Sequence, residues 1–372
     1  MISLREVWRR HRRKILFGAG ILGSGYFLYK LYDSRKKQLL DLEEVLAGER
    51  ENEEIVKAHM QTHFENIQRI ANTTTMPHAM HYLSSRIVEE LDLTHLTERL
   101  MRGKGQPNTL TSAEKLELWD QLKILSFTRM LVSVWAMTIL SLYIRVQVNI
   151  LGRHLYIDTA RGLGSSQLLD DADLIDVEDQ QKFLASADFL SSHGMPALIY
   201  NMQAAATEVL KGKQLRDFFD NAALHETIIQ ILDTFMIMGS PHQWVGYLMP
   251  EDTRLYKISN TSGNEDMIVP DFTKFDQLMV EARTVISSAE FVGVVNVSLK
   301  MVVRALVEEF GLQAGGSTAA SGIPLAKLVP RVAQMGPLLL EEPSKNRFIQ
   351  IIRDSPDVEL FFTLLYANMP NS

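Results

Sequence analysis

Apolar positions are arranged in two ways along this chain. Residues 15–32 form one nearly continuous apolar run, broken only by Ser24 and Lys30. Beyond it, apolar residues recur at spacings of three and four, the pattern of a helix with one buried face. That pattern predicts a polar helix over 34–70, a break at Met76-Pro77, and an amphipathic helix over 78–101 with Leu83, Ile87 and Leu91 on its apolar stripe. Arg102–Asn108 reads as a loop. Thr111 or Ser112, followed by Glu114 and Glu117, then starts a helix that runs without a breaker to about Leu151. After a loop over 162–180 with an acidic run from Asp170 to Asp179, helices are expected at about 180–192, 195–212, 214–237, 271–285, 288–310, 323–337 and 344–367. Gly311–Gly322 reads as a flexible connection. No strand alternation flanked by hairpin turns and no internal repeat is evident. The expectation is an all-α chain, an N-terminal transmembrane helix followed by one large elongated helical bundle.

Two segments are apolar enough to raise the question of a membrane. As a helix, residues 15–32 would be ~27 Å long, close to the ~30 Å hydrocarbon thickness of a bilayer. Lys14 and Lys30 can snorkel at its ends, and Tyr26, Tyr29 and Tyr32 suit the headgroup region. A cleaved secretory signal fits less well, because Tyr-Phe-Leu-Tyr-Lys follows where a small-x-small site belongs. The run is also too apolar for a merely amphipathic presequence, so an uncleaved anchor is expected. The second segment, Leu131–Ile144, spans only fourteen residues and is followed by Arg145 and Gln147. It reads as the central buried helix of the bundle rather than as a second span.

The domain plan is therefore a basic N-terminus over 1–14, an anchor over 15–32, a helical linker over 33–62 and a helical domain over 63–372. Formal charge divides the same way. The whole chain carries −7, but residues 1–14 hold six basic side chains against Glu6, a local +5, which leaves −12 for the remainder. A body this acidic is a poor nucleic-acid binder. The basic arm beside the anchor suits anionic headgroups or a targeting receptor, so the partner expected here is membrane lipid. Basic residues on both sides of the anchor (Arg9–Lys14, and Lys30, Arg35, Lys36, Lys37) leave orientation undecided by charge. With no cysteine in the chain, disulfides, thiolate metal sites and cysteine catalysis are excluded.

Catalytic and cofactor signals are thin. His59 and His63 have i, i+4 spacing, but Met60 stands where the zincin motif needs Glu, and no third ligand is evident. Arg161-Gly-Leu-Gly-Ser-Ser lacks the Lys-Ser/Thr ending of a P-loop. No enzyme activity, metal, cofactor or small-molecule substrate is expected.

One constellation stands apart. In Lys115–Arg129, Leu118, Leu122 and Leu125 form the core stripe, while Trp119 lies ~90° from its centre at ~100° per residue. Trp119 sits between Lys115 at i−4 and Lys123 at i+4. It is either a tryptophan at the core boundary with its indole N–H in water, or an exposed anchor for the apolar face of a partner helix.

At this segment the chain resembles the peroxisomal biogenesis factor 3 (peroxin three) family. The likeness runs through Lys115-Leu-Glu-Leu-Trp-Asp-Gln-Leu-Lys-Ile-Leu-Ser-Phe-Thr-Arg129 and Tyr143-Ile-Arg-Val-Gln-Val-Asn-Ile-Leu-Gly152, with Tyr156-Ile-Asp158 just after. It continues in His63–Arg69, in Ile323-Pro-Leu-Ala-Lys-Leu-Val-Pro330, and in the basic N-terminus with its anchor. The resemblance implies a single-pass peroxisomal membrane protein with a short lumenal N-terminus and a cytosolic helical domain, one that can reach its membrane by way of the endoplasmic reticulum. It implies docking of peroxisomal biogenesis factor 19, the chaperone that delivers peroxisomal membrane proteins for insertion, through the amphipathic N-terminal helix of that chaperone. By the same resemblance Trp119, Leu122, Lys115, Leu100 and Lys327 form the partner groove, and Arg9, Arg10, Arg12, Arg13 and Lys14 belong to the targeting signal. Two other classes stay open: an organelle tether or inheritance and autophagy adaptor, and a membrane-anchored enzyme of unknown activity.

Overall fold

A computed structural model describes residues 58, 61–62, 65–66, 68–105, 111–164, 175–238, 243–250, 273–312 and 322–367. The expected targeting signal, the anchor and most of the linker lie outside the described residues. The chain divides into two compact units, Met1–Thr62 and His63–Ser372, and the elements named below belong to the second.

The described residues are almost entirely helical, as the spacing predicts. A π-helical turn, Ala71–Thr75, leads straight into α1, Met76–Glu90. Pro77 therefore does not break the helix. It sits in the first turn of α1, where a missing N–H costs little. The expected helix over 78–101 is instead two helices, because Asp92 starts a new one, α2, Thr94–Gly105. The Asp92 carboxylate accepts hydrogen bonds from the Thr94 hydroxyl at 2.6 Å and the Thr94 N–H at 2.9 Å, and these bonds hold it below the usual carboxylate range. Residues 102–105, expected in a loop, continue α2.

α3, Ser112–Gly164, is 53 residues long and starts where the sequence indicates. Thr111 and Glu114 form a reciprocal cap. The Glu114 carboxylate accepts from the Thr111 N–H at 2.7 Å and hydroxyl at 2.8 Å, and the Glu114 N–H donates back to the Thr111 hydroxyl at 3.2 Å. Then follow α4, Val177–Ala185; α5, Met195–Leu210; a two-residue strand β1, Phe218–Phe219; α6, Asn221–Ile237; and the short α7, Val245–Leu248. The last elements are α8, Lys274–Ile286; α9, Ala289–Phe310; β2, Ile323–Pro324; α10, Leu325–Leu339; α11, Arg347–Arg353; and α12, Pro356–Ala367. β1 and β2 pair antiparallel, Phe218 opposite Pro324 and Phe219 opposite Ile323.

α3 is the axis of the bundle, packed against α1, α2, α4, α5 and α8 through α12. Every residue from Met130 to Arg153 is buried. α3 alone among the described helices is long and apolar enough to cross a membrane, yet its apolar window is wholly enclosed by protein. The reading of Leu131–Ile144 as a core helix therefore holds.

Aromatic rings pin α7 to this axis. Trp135 packs edge-on against Phe235, Trp244 and Tyr247 at centroid distances of 5.4, 6.4 and 5.9 Å. Close by, α5 is entered through Gly194, where a Cβ would stand 2.1 Å from the Tyr247 carbonyl oxygen. Backbone meets backbone there, so no side chain can yield. Gly194→Ala is expected to destabilise the domain by about 1–3 kcal/mol, read as a lower thermal midpoint by circular dichroism. An unchanged midpoint would mean that α5 and α7 do not approach this closely.

Candidate functional site

The site expected around Trp119 is built where α3 emerges from the bundle. Over its first turns only one face is covered. Leu118 and Leu122 are 4% and 3% exposed, so the predicted stripe enters the core, with Leu125 half-buried at its edge. Leu122 is thus a floor beneath the surface rather than part of it. Trp119 is half-buried, and Lys115 is exposed.

The helical pattern places Lys123 beside Trp119 at i+4, and it is 2% exposed. Its ammonium donates to the carbonyls of Leu210, at 3.2 Å, and Lys213, at 2.9 Å, and pairs with Asp120 at 2.6 Å. The reason is the C-terminus of α5. Its last carbonyls have no helical partner, and a cation placed there satisfies them and complements the helix dipole. Lys123 therefore fastens the segment after α5 to the helix that carries Trp119.

α2 supplies the next wall. It packs against α3, and Arg99 is close enough to help hold Glu114 below the usual carboxylate range, behind the two bonds from Thr111. Leu100, the neighbour of Arg99, is half-buried. Two residues that sequence reasoning missed lie in the same region: Met101 is 71% exposed and Leu116 is 63% exposed. Leu116 stands ~60° from Trp119 on the helical wheel, a signal that was legible once the core stripe had been drawn. The facing ends of α2 and α3 thus leave Leu100, Met101, Leu116 and Trp119 partly or largely in water.

The third wall is the start of α10. Its first turn is tied to the segment after α5, because the Leu325 N–H donates to the Asp217 carbonyl and the Ala326 N–H to the Leu215 carbonyl, both at 2.8 Å. Lys327, one residue further, is exposed. At the other end of α10, a Cβ on Gly336 would stand 3.3 Å from Arg129 Nε. α10 therefore crosses α3 in the same sense as α3 runs, with Lys327 towards the Trp119 end. Trp119, Leu122 and Lys115 thus share one helix, and Leu100 and Lys327 stand on two helices packed against it.

Among the described residues no group of three or more acidic or histidine side chains is placed to hold a metal ion. His59 and His63 lie outside the described residues. The arrangement offers partly exposed apolar surface with Lys115 and Lys327 exposed on two of its helices, and with the acids Glu114, Glu117 and Asp120 exposed on the same turns of α3 as Lys115.

A sequence profile of the family described as Peroxin-3 matches residues 104–368. The chain belongs to the peroxin-3 family. It is 58% identical over 371 residues to Peroxisome biogenesis protein 3-2 of Arabidopsis thaliana and 57% over 370 residues to Peroxisome biogenesis protein 3-1, with the whole of each chain covered. It is 28% identical over 390 residues to Peroxisomal biogenesis factor 3 of Homo sapiens, covering 98% of this chain and 97% of that one. Membership implies a role in peroxisome biogenesis, and the family is one of biogenesis factors rather than a known family of enzymes.

The anchoring of the segment after α5 by one ammonium has a measurable consequence. Lys123→Met keeps the length of the side chain but removes the donor to both carbonyls; Leu210 retains the Lys213 N–H at 3.1 Å, while the Lys213 carbonyl loses its ammonium partner, which costs about 1–3 kcal/mol. The expected outcome is a lower midpoint in denaturant unfolding of the full chain in detergent. A midpoint equal to that of the parent chain would show that these carbonyls are satisfied by other groups.

Proposed function

We propose that this peroxin-3 family member is a membrane-anchored docking receptor at the peroxisome, taking the amphipathic N-terminal helix of peroxisomal biogenesis factor 19 on the surface around Trp119. Its anchor is residues 15–32, with the helical domain in the cytosol. The observation that carries the reading is the set of apolar side chains left in water at the facing ends of α2 and α3: Met101 and Leu116 strongly exposed, Trp119 and Leu100 half so. A rigid helix rim bearing an aromatic and several aliphatic groups suits the apolar stripe of a partner helix. Leu118 and Leu122 beneath it belong to the packed core, so the rim is preformed and little of the binding energy goes into ordering it. Lys115 and Lys327 flank the apolar surface and can pair with acidic residues on the edge of the ligand.

The mechanism is docking without catalysis. A disordered chaperone segment folds into a helix as it binds, burying its apolar stripe against Trp119 and its neighbours and placing the cargo-laden chaperone beside the membrane. Trp119→Ala is expected to weaken binding by about 2 kcal/mol, roughly thirtyfold, in a titration of the full chain with the chaperone's N-terminal peptide. Lys115→Ala is expected to cost less and to lose its effect at high salt. Wild-type affinity in the Trp119 variant would remove the site assignment.

A further inference from the structure

The segment between α5 and β1, Lys211–Asp217, together with Phe218, is more exposed and more basic than its place in an acidic body explains. Lys211 and Arg216 are exposed and Lys213 is half-buried. The one acid among them, Asp217, is engaged by the Gln214 N–H at 2.7 Å. Phe218 is 58% exposed, whereas Phe219 beside it is 3% exposed and belongs to the core.

This exposure is held in place. The Lys123 ammonium grips the Leu210 and Lys213 carbonyls, the Leu215 and Asp217 carbonyls accept from the first turn of α10, and Phe218 pairs with Pro324. Gly322 lets the two strands close. Its φ is +147°, and a Cβ there would lie 2.7 Å from the Phe219 carbonyl oxygen. Phe218 is thus a ring fixed in water on a braced ladder, which is how an interface anchor is presented.

Its location follows from the same bonds. Lys123 is one helical turn from Trp119, and Phe218 is five residues from the Lys213 carbonyl that Lys123 grips. The reach of the chain puts Phe218 no further from Trp119 than a twenty-residue helix, about 30 Å long, can span. Lys327 follows β2 by three residues, in the first turn of α10.

We propose that Lys211–Phe218 is a second wall of the docking surface, with Phe218 as a further aromatic anchor and Lys211 and Arg216 as cations for the acidic flank of an amphipathic helix. The inference rests on the docking reading above and extends it to a ligand longer than the Trp119 rim alone would hold. Charge complementarity selects the occupant. Lys211, Lys213 and Arg216 give this segment three cations against the one acid Asp217, in a body whose net charge is −12 beyond residue 14, so it favours an acidic helix flank over a basic one.

The test is a titration of the full chain in detergent with the fluorescent N-terminal peptide of peroxisomal biogenesis factor 19, at low and high salt. Phe218→Ala is expected to weaken binding about tenfold. The double variant Lys211→Ala/Arg216→Ala is expected to weaken it severalfold at low salt and hardly at all at high salt. Both charge changes are at exposed positions, so this variant stays informative even if Phe218→Ala loosens the ladder. Wild-type binding in both variants, with Trp119→Ala impaired, would overturn the second wall and leave the docking reading intact. Wild-type binding in all three would overturn both. Displacement of the peptide by anionic lipid vesicles from the parent chain, but not from the double variant, would reassign the wall to lipid headgroups and overturn the peptide assignment.

Discussion

A helix buried on every side is the constraint from which the rest of this fold follows. From Met130 to Arg153, α3 has no face in water, so other helices must enclose it, and a polar group it carries costs stability unless it finds a partner inside. Hydroxyls solve this locally: Thr128, Ser133 and Thr138 donate to carbonyls one turn back in their own helix, at 2.9, 2.8 and 2.7 Å. The amides and cations need other elements. Gln147 Nε2 donates to the Phe183 carbonyl at 2.6 Å and to the Ser186 hydroxyl at 2.9 Å, which fixes the end of α4 against the axis. Arg153 and His154 both engage Glu281 of α8. The Arg145 guanidinium lies 4.3 Å from the centroid of Phe362 in α12, and burial, with the nearby charge of Arg353, pushes it down to about 10. Gln147, the Arg153–His154 pair and Arg145 are thus attachment points for α4, α8 and α12 in turn. That is a structural reason for so distinctive a polar pattern inside an apolar helix.

The same helix makes the candidate site by leaving that enclosure. Towards its N-terminus α3 loses cover one face at a time, until Leu118 and Leu122 are in the core and Leu116 and Trp119 are not. A rim built on the end of the bundle's own axis is stiff. Its orientation is set by two dozen buried residues further along, not by a loop. The cap at Thr111 and Glu114 starts the helix two turns before Trp119, so the indole sits inside a regular helix rather than on a fraying end.

Much of this was legible in the sequence because the deciding partners are local. The Thr111–Glu114 box, the apolar stripe and the displaced Trp119 all depend on residues within a few turns. The burial of Lys123 was not legible, for the opposite reason. Nothing within a turn of it shows that it is buried, because the carbonyls that draw it inward belong to Leu210 and Lys213. The split between α1 and α2 turns on Asp92 preferring to cap rather than to continue a helix, a preference that the apolar periodicity across it outweighed in the reading. β1 and β2 are two residues each and more than a hundred residues apart, too short to show any alternation. The exposure of Phe218 and Met101 was hidden because an apolar residue on a helical pattern is assigned to the core by default, and only the finished packing shows which ones no neighbour covers.

Charge and packing then act together at that end of the molecule. An amphipathic helix approaching an acidic body is repelled if its own polar flank is acidic, and the repulsion weakens only where cations gather. Lys123, taken inward, adds nothing to that surface charge, yet it holds in place the segment that carries Lys211 and Arg216. The lysine one turn beyond Trp119 thus contributes by being buried. It spends its own charge on the end of α5, and in doing so holds two other cations where a ligand can meet them. Specificity on such a surface comes from the combination, since apolar rims alone attract many helices and basic patches alone attract many acids. On the docking reading proposed above, a ligand would have to match both the aromatic positions and the cations beside them, at a spacing fixed by the bonds that tie α3, α10 and β1 together.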